Sequence, residues 1–182
     1  SLYLSVVCRR QFLLVSGCVP RAWIFGDQVA GAALRYLSTP AAGRQADVWL
    51  TAGGAEDVKR LVRLAFRRDG RTPDYIVVHV GSSDLVQTSS FEVRDELYAL
   101  WLYPRCFPGS PTLVWSDILP RWQGRHRVDW DPNSVARLDS IRKHTNRFCR
   151  RMAIRYGGQF ITHEWAENNR LMFRPDGLHL TR

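Results

Sequence analysis

From residue 21 onward the chain alternates short apolar runs with longer segments in which apolar residues recur every three or four positions. The short runs, Ala22–Phe25, Asp47–Leu50, Tyr75–Val80, Thr112–Trp115 and Gln159–Thr162, are rich in β-branched or aromatic residues, as buried parallel strands are. The longer segments predict helices over Val29–Leu37, Glu56–Arg67, Phe91–Leu102 and Val135–Tyr156. In the last of these, Val135, Leu138, Ile141, Thr145, Phe148 and Met152 would form one buried stripe. Asn133 or Ser134 is placed to cap it and Gly157-Gly158 to end it. Asp69-Gly70, Asp131-Pro132 and the group Pro104, Pro108, Gly109 and Pro111 punctuate the loops. Strands alternating with helices predict an α/β fold, a three-layer α/β/α sandwich. Its sheet would be five-stranded and parallel, with the flavodoxin-like order 2-1-3-4-5.

Length and composition narrow the picture. With 182 residues, 45% of them hydrophobic, the chain suits one domain with a real core. That domain is expected over 21–182, with 1–20 as an N-terminal extension. The extension holds two apolar patches, Leu2–Val7 and Phe12–Val15, broken by Arg9-Arg10, and neither reaches the roughly 20 residues of a membrane span. Val15-Ser16-Gly17 leaves a degraded signal peptide as the second reading of this segment. Cys8, Cys18, Cys106 and Cys149 have neither zinc spacing nor the density of a disulfide framework, so they read as free thiols of a reducing, intracellular setting. No metal and no cofactor is implied. The formal charge of +9 favours contact with polyanions. The runs Lys59-Arg60, Arg67-Arg68, Arg142-Lys143 and Arg150-Arg151 nevertheless read first as solvated helix faces.

In an open parallel sheet, ligands bind beyond the carboxyl ends of the strands. The first strand runs into Gly26-Asp27-Gln28, the second into Thr51-Ala52-Gly53-Gly54 and the third into Gly81-Ser82-Ser83-Asp84. Arg174-Pro175-Asp176-Gly177-Leu178-His179 follows the fifth. Glycines and small polar residues at these places suit close backbone approach to a ligand. The ordered set Trp23-Ile24-Phe25-Gly26-Asp27, Gly53-Gly54, Val78-His79-Val80-Gly81-Ser82-Ser83-Asp84-Leu85 and Asp176-Gly177-Leu178-His179 resembles the blocks of the SGNH hydrolase (GDSL-type esterase) family. The resemblance runs from about Arg21 to the end of the sequence. Leu113–Pro120, the long basic helix and Phe173–Gly177 look like a vertebrate branch found in predicted genes or mobile-element-derived reading frames.

The resemblance implies a serine nucleophile in the first block and an Asp-x-x-His pair as orienter and base, here Asp176 and His179. Gln28 stands at the nucleophile position, and a carboxamide has no hydroxyl or thiol to activate. The oxyanion group would comprise Gly53, Gly54 and Ser83, the serine standing where the family pattern has asparagine. Losing such a donor costs about 3 kcal/mol of barrier. Asp27, Ser82 and Asp84 would complete the pocket. Ser82, Ser83, Thr51 and Ser116 lie near strand ends, but no spacing pairs any of them with a base. His79 reads as a core residue or one lying behind the site, while His126, His144 and His163 fall in basic loops or on helix faces without metal spacing. The resemblance also implies a final helix beyond the His block. Without it, one face of the sheet would lose cover unless the N-terminal apolar segment supplied it.

Three functions are compatible with these residues. The first is a degenerate esterase-like domain that keeps a cleft for a small ester or acyl group. The second is an active carboxylic-ester hydrolase with a rearranged site. The third is a basic nucleic-acid-binding module, using the long helix and Trp122, Arg125, His126, Arg127 and Trp130.

Overall fold

The computed structural model describes residues 21–27, 48–51, 54–87, 89–103, 109–122, 132–174, 177 and 181. Strands β1 (Ala22–Gly26), β2 (Val48–Thr51), β3 (Tyr75–His79), β4 (Thr112–Ser116) and β5 (Gln159–Ile161) form one parallel sheet in the order β2-β1-β3-β4-β5. Between them lie helices α1 (Ala55–Asp69), α2 (Asp84–Gln87), α3 (Ser90–Leu102) and α4 (Pro132–Tyr156), and α5 (Glu164–Glu167) comes after β5. A 3-10 turn, Arg170–Met172, follows.

Register explains the core. Trp23 pairs with Ile76 and Phe25 with Val78, which in turn pair with Leu113 and Trp115, so all six share one face of the sheet. Val58, Val62 and Ala65 of α1, Val93, Leu97 and Trp101 of α3, and Cys149, Met152 and Ala153 of α4 close over it. The long helices of the described residues therefore cover the same face. On the other face Ile24, Val77 and Val114 form a smaller buried group with Tyr75 and Ile161 against it. The predicted helix Val29–Leu37 and the extension 1–20 lie outside the described residues.

Local signals account for the helix ends. Ser89 and Glu92 form a capping box at the start of α3, the hydroxyl accepting from the Glu92 N–H while the carboxylate accepts from the Ser89 N–H. Gly70, at φ 65°, ends α1 by donating to the Phe66 carbonyl. At the end of α4, Gly157 takes φ 67° and the Gly158 N–H reaches back to Ala153 at 2.9 Å. Gly158 passes so close to Trp101 and the Leu113 carbonyl that a Cβ there would overlap both.

Helix α4 corrects two expectations. It begins at Pro132, so Asn133 and Ser134 lie in its first turn rather than at its cap. Its buried residues are Arg142, Thr145, Asn146, Cys149, Met152 and Ala153, a face rotated from the predicted stripe and leaving Val135, Leu138, Ile141 and Phe148 at its flank. The reason is polar: Arg142, expected in a solvated run, is 3% exposed and donates to the Ile118 carbonyl and to both oxygens of Glu167. Burial pushes the Cys149 thiol far above its usual range, so this cysteine is a core residue. Among the described residues, no helix is long and apolar enough to cross a membrane.

Candidate functional site

At the carboxyl edge of the sheet, β1 and β3 end side by side. Gly26 is in register with His79, and the Asp27 N–H donates to the His79 carbonyl at 3.0 Å, carrying the pairing one step past the strands. The chain then turns at Gly81, whose φ is 111° and whose missing Cβ leaves room for the Ile118 side chain. The Gly81 and Ser83 carbonyls accept from Leu85 and Val86, which folds Asp84–Gln87 into α2. Ser82, Ser83 and Asp84 are all partly exposed there.

The block after β2 meets the block after β3 through one carboxylate. Gly54 lies against Asp84 so closely that a Cβ would overlap Asp84 Oδ1, and the carboxylate accepts a hydrogen bond from the Ala55 backbone at the start of α1. Burial raises the Asp84 pKa above the usual carboxylate range. The backbone bonds from Ala55 and Asp84 oppose that rise, while the Asp27 and Asp57 carboxylates add to it. Among the described residues, Asp84 Oδ2 is buried without a hydrogen-bond partner.

A strap after β4 ties in the fourth block. Arg121 Nη2 donates to the Ser82 carbonyl at 2.5 Å and to the Ser82 hydroxyl at 3.1 Å. The next residue, Trp122, donates its backbone N–H to the Gly177 carbonyl at 3.0 Å. Gly177, at φ 68°, closes a turn with Arg174. The Trp122 ring packs against Phe173 within a small apolar group formed by Leu119, Ala166 and Phe173. The strap is itself pinned from α4, because Asn146 exchanges two hydrogen bonds with the backbone of Ile118 and Arg150 pairs with the buried Asp117. Burial raises the Asp117 pKa, against the lowering pull of Arg150. Nothing in the spacing of Arg121, Asn146 or Arg150 announces these roles, which come from contacts distant in sequence.

Beneath this edge, on the face of Ile24, Val77 and Val114, lies a second polar group that sequence reasoning missed. The Ser116 hydroxyl sits 2.9 Å from His79 Nδ1 and 2.8 Å from His163 Nε2. All three residues are buried. His79 was expected in the core and is there, whereas His163, expected in a basic loop, is a buried residue at the end of β5. A hydroxyl carries one proton and two lone pairs, so at least one of the two imidazoles donates to Oγ. Burial lowers the His163 pKa to about 3, with His79 and Arg150 contributing, and the ring is therefore neutral at ordinary pH. His144 is on the exposed side of α4, as expected. Gln28, Gly53, Asp176, His179 and His126 lie outside the described residues. Among the described residues, no three His, Cys, Asp or Glu side chains gather as a metal site.

The same architecture recurs in solved structures. A psychrotrophic esterase from Pseudoalteromonas is similar over 88% of this chain and 87% of its own, with 12% identity and a TM-score of 0.61. A GDSL-like lipase from Bacteroides thetaiotaomicron is similar over 89% and 80%, with 12% identity and a TM-score of 0.63. The chain has the SGNH-hydrolase fold. AlinE4, an esterase of the SGNH-hydrolase family, shares that fold over 80% of this chain and 77% of its own, at 17% identity and a TM-score of 0.53. No family model and no curated protein sequence matches the chain. Identities this low establish the SGNH fold without carrying its chemistry across.

Proposed function

We propose that this chain is an SGNH-type domain whose cleft holds a small ester or acyl group without turning it over by a serine route. The observation that carries the reading is the junction of Gly26-Asp27 with the His79–Asp84 segment at the sheet edge, which supports taking the residue after Asp27 as the one that follows the Gly-Asp block there. In SGNH enzymes that position supplies the nucleophile, and here it is Gln28. On this reading Asp176 and His179 keep the orienter and base. Gly53, Gly54 and Ser83 contribute a weakened oxyanion site, and Asp27, Ser82 and Asp84 line the pocket. Val29–Leu37 would supply a helical layer over the second face, completing the three-layer sandwich. Asp84 Oδ2, without a partner among the described residues, and the raised pKa of its carboxyl support a cleft suited to a polar ligand.

A rearranged active hydrolase is the second reading, favoured by the hydroxyl of Ser116 between two imidazoles. Its burial and the low basicity of His163 weigh against it, because a general base works best with a pKa near the working pH.

The test is hydrolysis of short-chain p-nitrophenyl esters by the purified chain. No turnover above the buffer rate is expected, and Gln28→Ser should introduce a hydrolysis that His179→Ala removes. Turnover by the unaltered chain that disappears in His179→Ala would overturn the reading. Fluorophosphonate labelling that is lost in Ser116→Ala would establish the second one.

A further inference from the structure

Helix α4 divides its basic residues between two sides. Arg142 and Arg150 turn inward to Glu167 and Asp117. Arg137, His144, Arg147, Arg151 and Arg155 are exposed, and at 3.6 residues per turn they fall within an arc of roughly 80° opposite the buried face. Arg137, Arg147 and Arg151 make no ion pair or hydrogen bond among the described residues. Asp139, the acidic residue of this helix, is occupied by Arg142 and Lys143. A helix of 25 residues is about 36 Å long, and Arg147, Arg151 and Arg155 follow one another at about 6 Å steps. Salt bridges consume Arg142 and Arg150, while Arg137, Arg147 and Arg151, without an ion pair among the described residues, and Arg155, over the Tyr156 ring, form an outward line of guanidinium groups.

We propose that this face of α4 docks the phosphate backbone of double-stranded nucleic acid without reading its sequence. A duplex carries a charge about every 1.7 Å of axis, the partner that gains most from a straight line of cations through release of its counterions. Sites for single strands add aromatic rings on which bases stack, and the exposed residues of α4 include no Phe, Tyr or Trp. One side of α4 is packed on the sheet, and its outward cations follow one line along the axis, the pattern of backbone contacts that position a duplex and carry no sequence information. Contact is thus confined to phosphates. Insertion into a lipid surface would need a broad apolar face, and the apolar side of α4 is spent on the core, leaving Ile154 as the strongly exposed aliphatic residue on the outer side.

The experiment measures binding of a labelled DNA duplex of about 20 base pairs to the full chain by fluorescence anisotropy across a salt series. Arg147→Gln/Arg151→Gln/Arg155→Gln is compared with Arg67→Gln/Arg68→Gln/Arg71→Gln, which removes the same charge from exposed positions in and beyond α1. Helix α3 packs between α1 and α4, so the two triples sample separate surfaces. The α4 triple should weaken duplex binding at least tenfold at low salt and flatten the slope of log K against log salt by about 3, at 0.9 for each phosphate contact. The α1 triple should change affinity by less than about twofold. Equal losses from both triples would overturn the proposal, since they would mean diffuse charge. So would absence of duplex binding at low salt, tighter binding to a single strand of the same length, or equally tight binding to polyglutamate.

Discussion

The helix-covered face of the sheet and the carboxyl edge of its strands are held by different physics. On the face, Trp23, Phe25, Ile76, Val78, Leu113 and Trp115 meet side chains from α1, α3 and α4, and stability there is area removed from water. At the edge, backbone-to-backbone and side-chain-to-backbone bonds link Asp27 to His79, Asp84 to Ala55, Arg121 to Ser82 and Trp122 to Gly177. Apolar burial tolerates exchange of one hydrophobic side chain for another of similar volume. The edge depends on particular donors and on glycines that admit close approach. The fold can therefore outlast changes in the chemistry placed upon it.

Substitutions can break this contrast in graded steps. Phe25→Ala empties a fully buried site between β1 and the helices and should cost about 4 kcal/mol, measured by urea unfolding. A loss below about 1 kcal/mol would mean that the face is less well packed than described. Acid acts next, on the group beneath the edge. Folded His163 stays neutral down to about pH 3, whereas the unfolded imidazole protonates near 6.5, so protons favour the unfolded chain. The stability present above pH 6.5 should fall as pH drops toward 3, by roughly 3 kcal/mol at about pH 4. His163→Gln should flatten that part of the profile, and an unchanged profile would remove His163 as its source. The smallest effect is expected at Gly54→Ala, where overlap with Asp84 should cost about 2 kcal/mol in thermal unfolding and be partly relieved by adding Asp84→Ala. Simple additivity of the two changes would show that Gly54 and Asp84 are not coupled.

The same contrast decides what was legible in the sequence. The runs around Trp23–Phe25 and Tyr75–Val78 read correctly as strands because both faces of each are buried, and apolar continuity is a local property. Gly157-Gly158 read correctly as a stop because a left-handed turn is chemistry confined to a few residues. The buried side of α4 was misjudged. Arg142 and Asn146 are polar in composition yet face inward, and only the positions of Ile118 and Glu167, far along the chain, make that favourable. Ser116, His163 and Arg121 escaped for the same reason, since each acquires its partners through the sheet order. At the sheet edge Asp27 pairs with the His79 backbone, Gly54 lies against Asp84 and Arg121 holds Ser82, contacts set by strand order rather than by spacing in the sequence.

The main-chain bond from Trp122 to Gly177 gives the molecule a reporter of its own assembly. The Trp122 amide is protected while the Gly177 carbonyl accepts from it, and the strap that carries Trp122 is held by Asn146 and by the bond from its own Arg121 to Ser82. Hydrogen exchange at that one amide thus follows the opening of the contact between the strap and Gly177, separately from global unfolding. Site assembly and fold stability become two independently observable quantities in the same chain.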